Sequence, residues 1–250
     1  MKTLVFANQK GGVGKTTSAV NIAAALGIAG KKTLVIDFDP QGNASSGLGV
    51  CKPNATSYDL VIGRLTADDV IVKTSYANLD VIPASMPLAA ADFELASVDN
   101  RDSRLKKALE PIKDKYDYAI IDCPPSLGLL TVNALTAGDG VIIPMQCEYF
   151  SLEGLSQIMM TVKKVKKLYN PSLSLTGILI TMYNGRLNLS ASVLDELKKY
   201  YADKLFKTAI VRNVRLSEAP SFGQPIQYYD KYSRGSLQYS DVAAEIMERI

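Results

Sequence analysis

Lys10 and Lys15 stand five residues apart in the run NQKGGVGKTT, residues 8–17, with Gly11, Gly12 and Gly14 between them and Thr16 and Thr17 behind. Glycines at that density let backbone N–H groups converge on one spot without a Cβ in the way. Ammonium groups and hydroxyls around such a spot suit a phosphate chain. Lys15 reaches the outer phosphates, the Thr16 hydroxyl ligates Mg²⁺ and Thr17 hydrogen-bonds the α-phosphate. The spacing is that of a P-loop with one exception: G-x-x-x-x-G-K-[ST] requires glycine at position 9, and this chain has Gln9 followed by a second lysine.

Carboxylates elsewhere fit the same chemistry. YAIID, residues 118–122, is an apolar run ending in an acid, and Asp122 would hold Mg²⁺ directly or through water. LVIDFDPQGN, residues 34–43, carries Asp37 and Asp39 off the end of another apolar run. One of the pair can face the phosphates while the other is held in structure. The chain contains no histidine, so Ser-His-Asp and Cys-His nucleophiles and His-based metal sites are excluded. An aspartate is then the natural group to orient an attacking water.

The elements that must position these residues are legible as alternating patterns. Apolar runs predict strands at 3–7, 33–37, 79–82, 118–122, 140–143, 177–181 and 206–210. They are nearly continuous rather than alternating in and out, as in parallel strands buried on both faces. Helical spacing predicts helices over 16–29, 103–115 and 152–169, the last with Leu152, Leu155, Ile158, Met159, Val162, Val165 and Leu168 on one face. The fold class that follows is α/β, a doubly wound, mostly parallel sheet with helices on both faces. No repeat or Pro/Gly-rich linker divides the chain, so residues 1–250 are expected to form a single domain.

Charge is uneven. Residues 1–150 hold 14 Lys+Arg against 16 Asp+Glu, and residues 151–250 hold 14 against 9. A basic half can meet nucleic acid or an anionic surface. Three cysteines without a C-x-x-C predict buried reduced thiols rather than disulfides or zinc. The first residues lack the apolar core of a signal peptide, and no apolar run is long enough to span a bilayer, so a cytoplasmic protein is expected.

The motifs in combination resemble a known family. KGGVGKTT resembles the deviant Walker A pattern K-G-G-x-G-K-[ST], DFDPQGN the Walker A′ and IIDCPPSLGLLT the Walker B of the ParA/MinD ATPases. VRNVRLSEAPSFGQPI, residues 211–226, resembles their late adenine-side segment, and DPQGN with RLSEAPS points to the chromosome-partitioning ParA (Soj) branch. The resemblance implies a P-loop ATPase of the deviant Walker A type that hydrolyses ATP to ADP with Mg²⁺. It implies a homodimer formed on ATP, non-specific DNA binding, nucleoid association and stimulation by a ParB-type centromere-binding protein. It makes Lys10 the signature lysine that reaches the other subunit's phosphates in trans while Lys15 acts in cis. Gly11, Gly12, Val13, Gly14, Lys15, Thr16 and Thr17 hold the subunit's own nucleotide. Asp39 positions the water with Asp37 supporting. Val211, through its backbone, and Asn213 fall at the adenine, although the family commonly has proline where Val211 stands.

By the same resemblance Arg186 and Arg215 are the DNA contacts, whereas Lys163, Lys164, Lys166 and Lys167 read as a solvated helix face. Spaced cations suffice for binding that tracks a phosphate backbone. Two alternatives share the fold. A MinD-like membrane-associated division-site ATPase would need a basic amphipathic C-terminal helix. Residues 233–250 instead set two arginines against Asp241, Glu245 and Glu248, and packing against the sheet is expected. An iron–sulfur carrier would need two cluster cysteines per subunit, and the surroundings of Cys123 and Cys147 do not resemble cluster motifs.

Overall fold

The computed structural model describes all 250 residues. Strands β1 (Lys2–Phe6), β2 (Thr33–Asp37), β3 (Val72–Lys73), β4 (Leu79–Ile82), β5 (Tyr118–Asp122), β6 (Gly140–Met145) and β7 (Ser174–Ile180) form one sheet in the order β3-β4-β2-β5-β1-β6-β7. All neighbours are parallel except β3 and β4. The helices are α1 (Lys15–Ile28), α2 (Asn43–Gly47), α3 (Ser57–Ile62), α4 (Ala67–Val70), α5 (Ala91–Glu94), α6 (Arg104–Leu109), α7 (Leu129–Ala137), α8 (Ser151–Leu168), α9 (Asn188–Tyr201), α10 (Val214–Glu218), α11 (Ile226–Tyr229) and α12 (Arg234–Arg249).

Each central strand is buried on both faces, which is why it reads as an unbroken apolar run. Successive side chains feed two cores. Leu4 and Phe6 of β1 join α1 and α12 on one face, and Val5 joins α7 and α8 on the other. Helix α1 is apolar nearly all round and rich in alanine, so it lies close to the sheet with α12 across it. Helix α8 buries Leu155, Ile158, Val162 and Val165 and leaves Lys163, Lys164, Lys166 and Lys167 in solvent. The C-terminal helix turns Tyr239, Val242, Ala243 and Ile246 into the core, as expected from its charge.

Three sequence expectations are corrected. Residues 206–210 are no strand. They run beside β7 through separate bonds, Phe206 N–H to Ile178 O at 3.1 Å and Ile210 N–H to Ile180 O at 2.8 Å, flanked only by isolated bridges at Leu205 and Val211. The seventh strand is instead the antiparallel edge β3, whose two residues are too short to show a pattern. The helix expected over 103–115 ends at Leu109 and continues as a 3₁₀ turn, because Pro111 has no N–H to donate. Of the cysteines, Cys123 and Cys147 are buried but Cys51 is exposed.

The chain leaves β5, passes β1 and continues as β6, so the strand order reverses about β1. In open α/β sheets the crevice at the carboxyl ends of the strands beside such a reversal is where ligands bind. Phe6, Asp37 and Asp122 lie level there, with Phe6 opposite Asp122 and Asp122 opposite Asp37.

Candidate functional site

The loop from β1 to α1 turns through two left-handed glycines, Gly12 at φ 72° and Gly14 at φ 80°, a conformation that penalises any side chain. No backbone N–H from Gly11 to Thr17 donates to a protein acceptor; the first helical bond is Ser18 N–H to Gly14 O at 2.9 Å. Seven consecutive donors at a helix N-terminus form an anion cradle. The Thr181 hydroxyl pins the loop from below by donating to Val13 O at 2.8 Å. Lys15 is buried, and its Nζ donates to the Lys10 carbonyl at 3.1 Å. Burial pushes its pKa down, while the nearby carboxylates of Asp122 and Asp39 oppose that shift.

The two strand-end carboxylates divide their work. Asp37 Oδ2 accepts from Ser45 N–H at 2.7 Å and from the Ser45 hydroxyl at 2.6 Å, while Oδ1 accepts from Asp39 N–H at 3.3 Å. It braces the turn into α2. Burial raises its pKa to about 6, against the lowering effect of these bonds. Asp39 is also buried; its Oδ1 accepts from Gln41 N–H at 3.0 Å and its Oδ2 has no protein partner. The alternative left open by the sequence resolves accordingly: Asp37 is held in structure and Asp39 keeps a free acceptor.

Asp122 is wholly buried at the end of β5. Burial pushes its pKa well up, and Asp37 adds to this. The Thr16 hydroxyl lies near enough to favour the ionised form but outside hydrogen-bonding geometry, so both carboxylate oxygens lack a partner. A buried orphan carboxylate beside a threonine hydroxyl and an anion cradle fits Mg²⁺, which takes one or two protein oxygens and completes its shell with phosphate and water.

Lys10 is not part of the cradle. Its N–H donates to Asn8 Oδ1 at 3.0 Å, and its ammonium pairs with Glu148 in the loop after β6. That loop touches the glycine turn once more, where Gln146 Nε2 donates to Gly12 O at 2.9 Å, and Gln9 bonds Gln157 on α8. Gln146, Glu148 and Gln157 escaped the sequence reading. They lie more than 130 residues from their partners, and no local pattern marks them.

Beside the cradle a cavity of about 210 Å³ is lined by Gly14, Thr17, Thr181, Val211, Asn213, Leu216 and Tyr239, among others. Tyr239 is fixed by a buried hydrogen bond between its hydroxyl and Ser18 Oγ at 3.1 Å. Val211 and Asn213 thus come together at one cavity joined to the phosphate loop. Unlike a proline there, Val211 has an N–H, and it donates to Gln238 Oε1 at 3.1 Å. Gln238 is a further residue the sequence reading missed.

Arg186 and Arg215 are both exposed. Arg215 lies in the first turn of α10 beside this cavity and pairs with Glu218 at 2.9 Å and Asp230 at 3.7 Å. Burial pushes up the thiols of Cys123 and Cys147, the latter to about 11. No helix is long and apolar enough to cross a membrane.

A parallel sheet with a glycine-rich loop on its first strand, a cis lysine and a buried strand-end aspartate defines a P-loop ATPase. The AAA_31 family, described as an AAA domain, matches residues 1–175. The sporulation initiation inhibitor protein Soj of Bacillus subtilis is 54% identical over 247 residues, covering 98% of each chain. The chromosome-partitioning ATPase Soj of Treponema pallidum is 52% identical, covering 99% of this chain and 98% of its own. The structure of cobyrinic acid a,c-diamide synthase from Mycobacterium smegmatis with ADP and magnesium superposes with a TM-score of 0.87 at 34% identity, over 99% of this chain and 94% of that one. The chain belongs to the ParA/MinD family of deviant Walker A ATPases, on its Soj/ParA chromosome-partitioning branch. It is an ATPase whose cofactors are ATP or ADP and Mg²⁺.

Proposed function

We propose that this ATPase, one domain over residues 1–250, is a DNA-partitioning switch that dimerises on ATP, binds DNA without sequence preference and hydrolyses ATP when a ParB-type partner engages it. The observation that carries the reading is Lys10. Its ammonium turns away from the cradle that Lys15 serves and lies at the surface against Glu148. A second lysine directed outward from a phosphate loop suits a phosphate chain brought by a second copy. Full-length similarity to Soj and ParA proteins supports the rest.

In this mechanism the N–H groups of Gly11 to Thr17 and the Lys15 ammonium hold the triphosphate, with Val13 and Thr17 completing the wall. Thr16 and Asp122 hold Mg²⁺, which neutralises charge on the outer phosphates. Asp39 Oδ2 accepts a hydrogen bond from the attacking water and orients it toward the γ-phosphorus. Lys10 of the opposing copy neutralises charge that redistributes in the transition state, as an arginine finger does. Arg186 and Arg215 meet DNA phosphates, and pairing two copies doubles those contacts on one face. The protein then acts in the cytoplasm on the nucleoid. Its C-terminal helix turns Val242, Ala243 and Ile246 into the core, which favours this reading over a MinD-like membrane-associated one.

DNA co-sedimentation with ATP, ADP or no nucleotide, at low and raised salt, tests the reading. Retention is expected only with ATP, weakening steeply with salt. Equal retention in all three nucleotide states would remove the switch.

A further inference from the structure

Val211 lines the cavity beside the phosphate loop, and its two main-chain groups are engaged differently. The N–H donates to Gln238 Oε1 at 3.1 Å, and Gln238 Nε2 donates in turn to Ala209 O at 2.7 Å. A side chain from α12 thereby takes the place of a ladder neighbour for the segment that failed to become a strand. The Val211 carbonyl, by contrast, accepts no hydrogen bond. Asn213 completes the edge. Its Oδ1 accepts from Arg215 N–H at 2.9 Å, so its Nδ2, a donor, is the atom without a partner.

A base entering this cavity therefore meets an acceptor at residue 211 and a donor at residue 213. Adenine offers an N6 amine donor beside ring-nitrogen acceptors, whereas guanine places the O6 acceptor where that amine stands. An O6 against the Val211 carbonyl sets two acceptors face to face and leaves both unpaired. Unpaired polar groups in a desolvated site are the strongest source of discrimination between near-isosteres. With Gln238 removed, the Val211 N–H would become available and the same backbone position could serve an O6.

We propose that Gln238 sets the base selectivity of this ATPase: by occupying the Val211 N–H it leaves residue 211 an acceptor only, and so selects adenine over 6-oxopurines. This rests on the reading that adenine lies in the cavity lined by Val211 and Asn213. Gln238 touches no base; it is a positioning residue, acting through the 209–211 segment.

The test is competition of ATP, GTP and ITP, each with Mg²⁺, against a fluorescent ATP analogue on the full-length protein. The wild type is expected to prefer ATP over both 6-oxopurines by about a hundredfold. Gln238→Met keeps the length and removes both hydrogen bonds; it should cut that preference about tenfold for GTP and ITP alike. Gln238→Glu keeps an acceptor for the Val211 N–H and should keep the preference. A parallel fall in affinity for all three nucleotides in Gln238→Met, with the ratio unchanged, overturns the proposal. So does relaxation toward GTP without ITP, which would assign discrimination to the 2-amino group, and so does a wild type without preference. Asn213→Ala and Leu216→Trp report separately on the underlying reading. If both leave ATP affinity intact, adenine does not lie in this cavity, whatever Gln238 does.

Discussion

Lys15 Nζ donates to the carbonyl oxygen of Lys10 at 3.1 Å, so the lysine that serves the cradle is bonded to the main chain of the lysine that leaves it. The side chain of Lys10 meanwhile pairs with Glu148. The two cations are five residues apart and bonded through one peptide, yet they face different ways.

Lys10→Ala should bind ATP with near-normal affinity, because the cradle donors and Lys15 remain. It should lose ATP-dependent dimerisation and at least about a hundredfold of the partner-stimulated hydrolysis rate. Nucleotide titration, sedimentation and phosphate release measure the three separately. Stimulated turnover at the wild-type rate would sink the trans role.

Asp39→Ala removes the free acceptor while Asp37 still braces the turn through Ser45. The variant should bind ATP and accumulate as an ATP-bound dimer, with hydrolysis reduced by about a hundredfold or more. Gel filtration with ATP shows the dimer, and normal turnover would place water positioning elsewhere.

Arg215→Glu should abolish DNA retention in ATP without weakening ATP binding. It exchanges a cation for an anion once per subunit, beside Glu218 and Asp230, which already carry negative charge. The slope of log affinity against log salt should also shrink where residual binding is measurable. Undiminished retention would take Arg215 out of the DNA contact.

Stability of the nucleotide-free protein should fall as pH rises from about 4 to 7. Burial holds Asp37 at about 6, above the usual carboxylate range, and pushes Asp122 up in the same direction. In that window the folded state binds more protons than the unfolded chain, so raising the pH costs folding free energy, about 3 kcal/mol from Asp37 alone. The chain has no histidine to obscure the effect. Thermal melts between pH 5 and 7 should show a falling midpoint, and Asp37→Asn should flatten the slope. A wild-type midpoint that rises over this range would contradict the burial argument.

What was legible in the sequence is what local spacing encodes. The glycine turn, the helix behind it, Asp122 at its strand end and most of the inner face of α8 follow from residues within one element, although Leu168, expected on that face, is exposed. Spacing paired Asp37 and Asp39 without telling them apart, and only the family resemblance assigned the water to Asp39, because their division depends on Ser45 and on which oxygens remain free. Glu148 against Lys10, Gln157 against Gln9 and Gln238 against Val211 are set by the path of the chain through the sheet, not by spacing. The 206–210 run shows the reverse failure. Its composition suits a strand, but only scattered bonds to β7 form, and the Arg249 guanidinium stacks 4.2 Å over the Phe206 ring instead. Pro111 was the one legible warning that the helix over 103–115 would break.

The buried bond between Ser18 and Tyr239 joins the first helix to the last across 221 residues of chain. A growing polypeptide can lay down β1, its glycine turn and α1 early in synthesis. It cannot wall the neighbouring cavity until α12 has cleared the ribosome and docked. A truncated or nascent chain would therefore carry phosphate-binding residues without the adjoining pocket, and full nucleotide capture would wait for the final sixteen-residue helix.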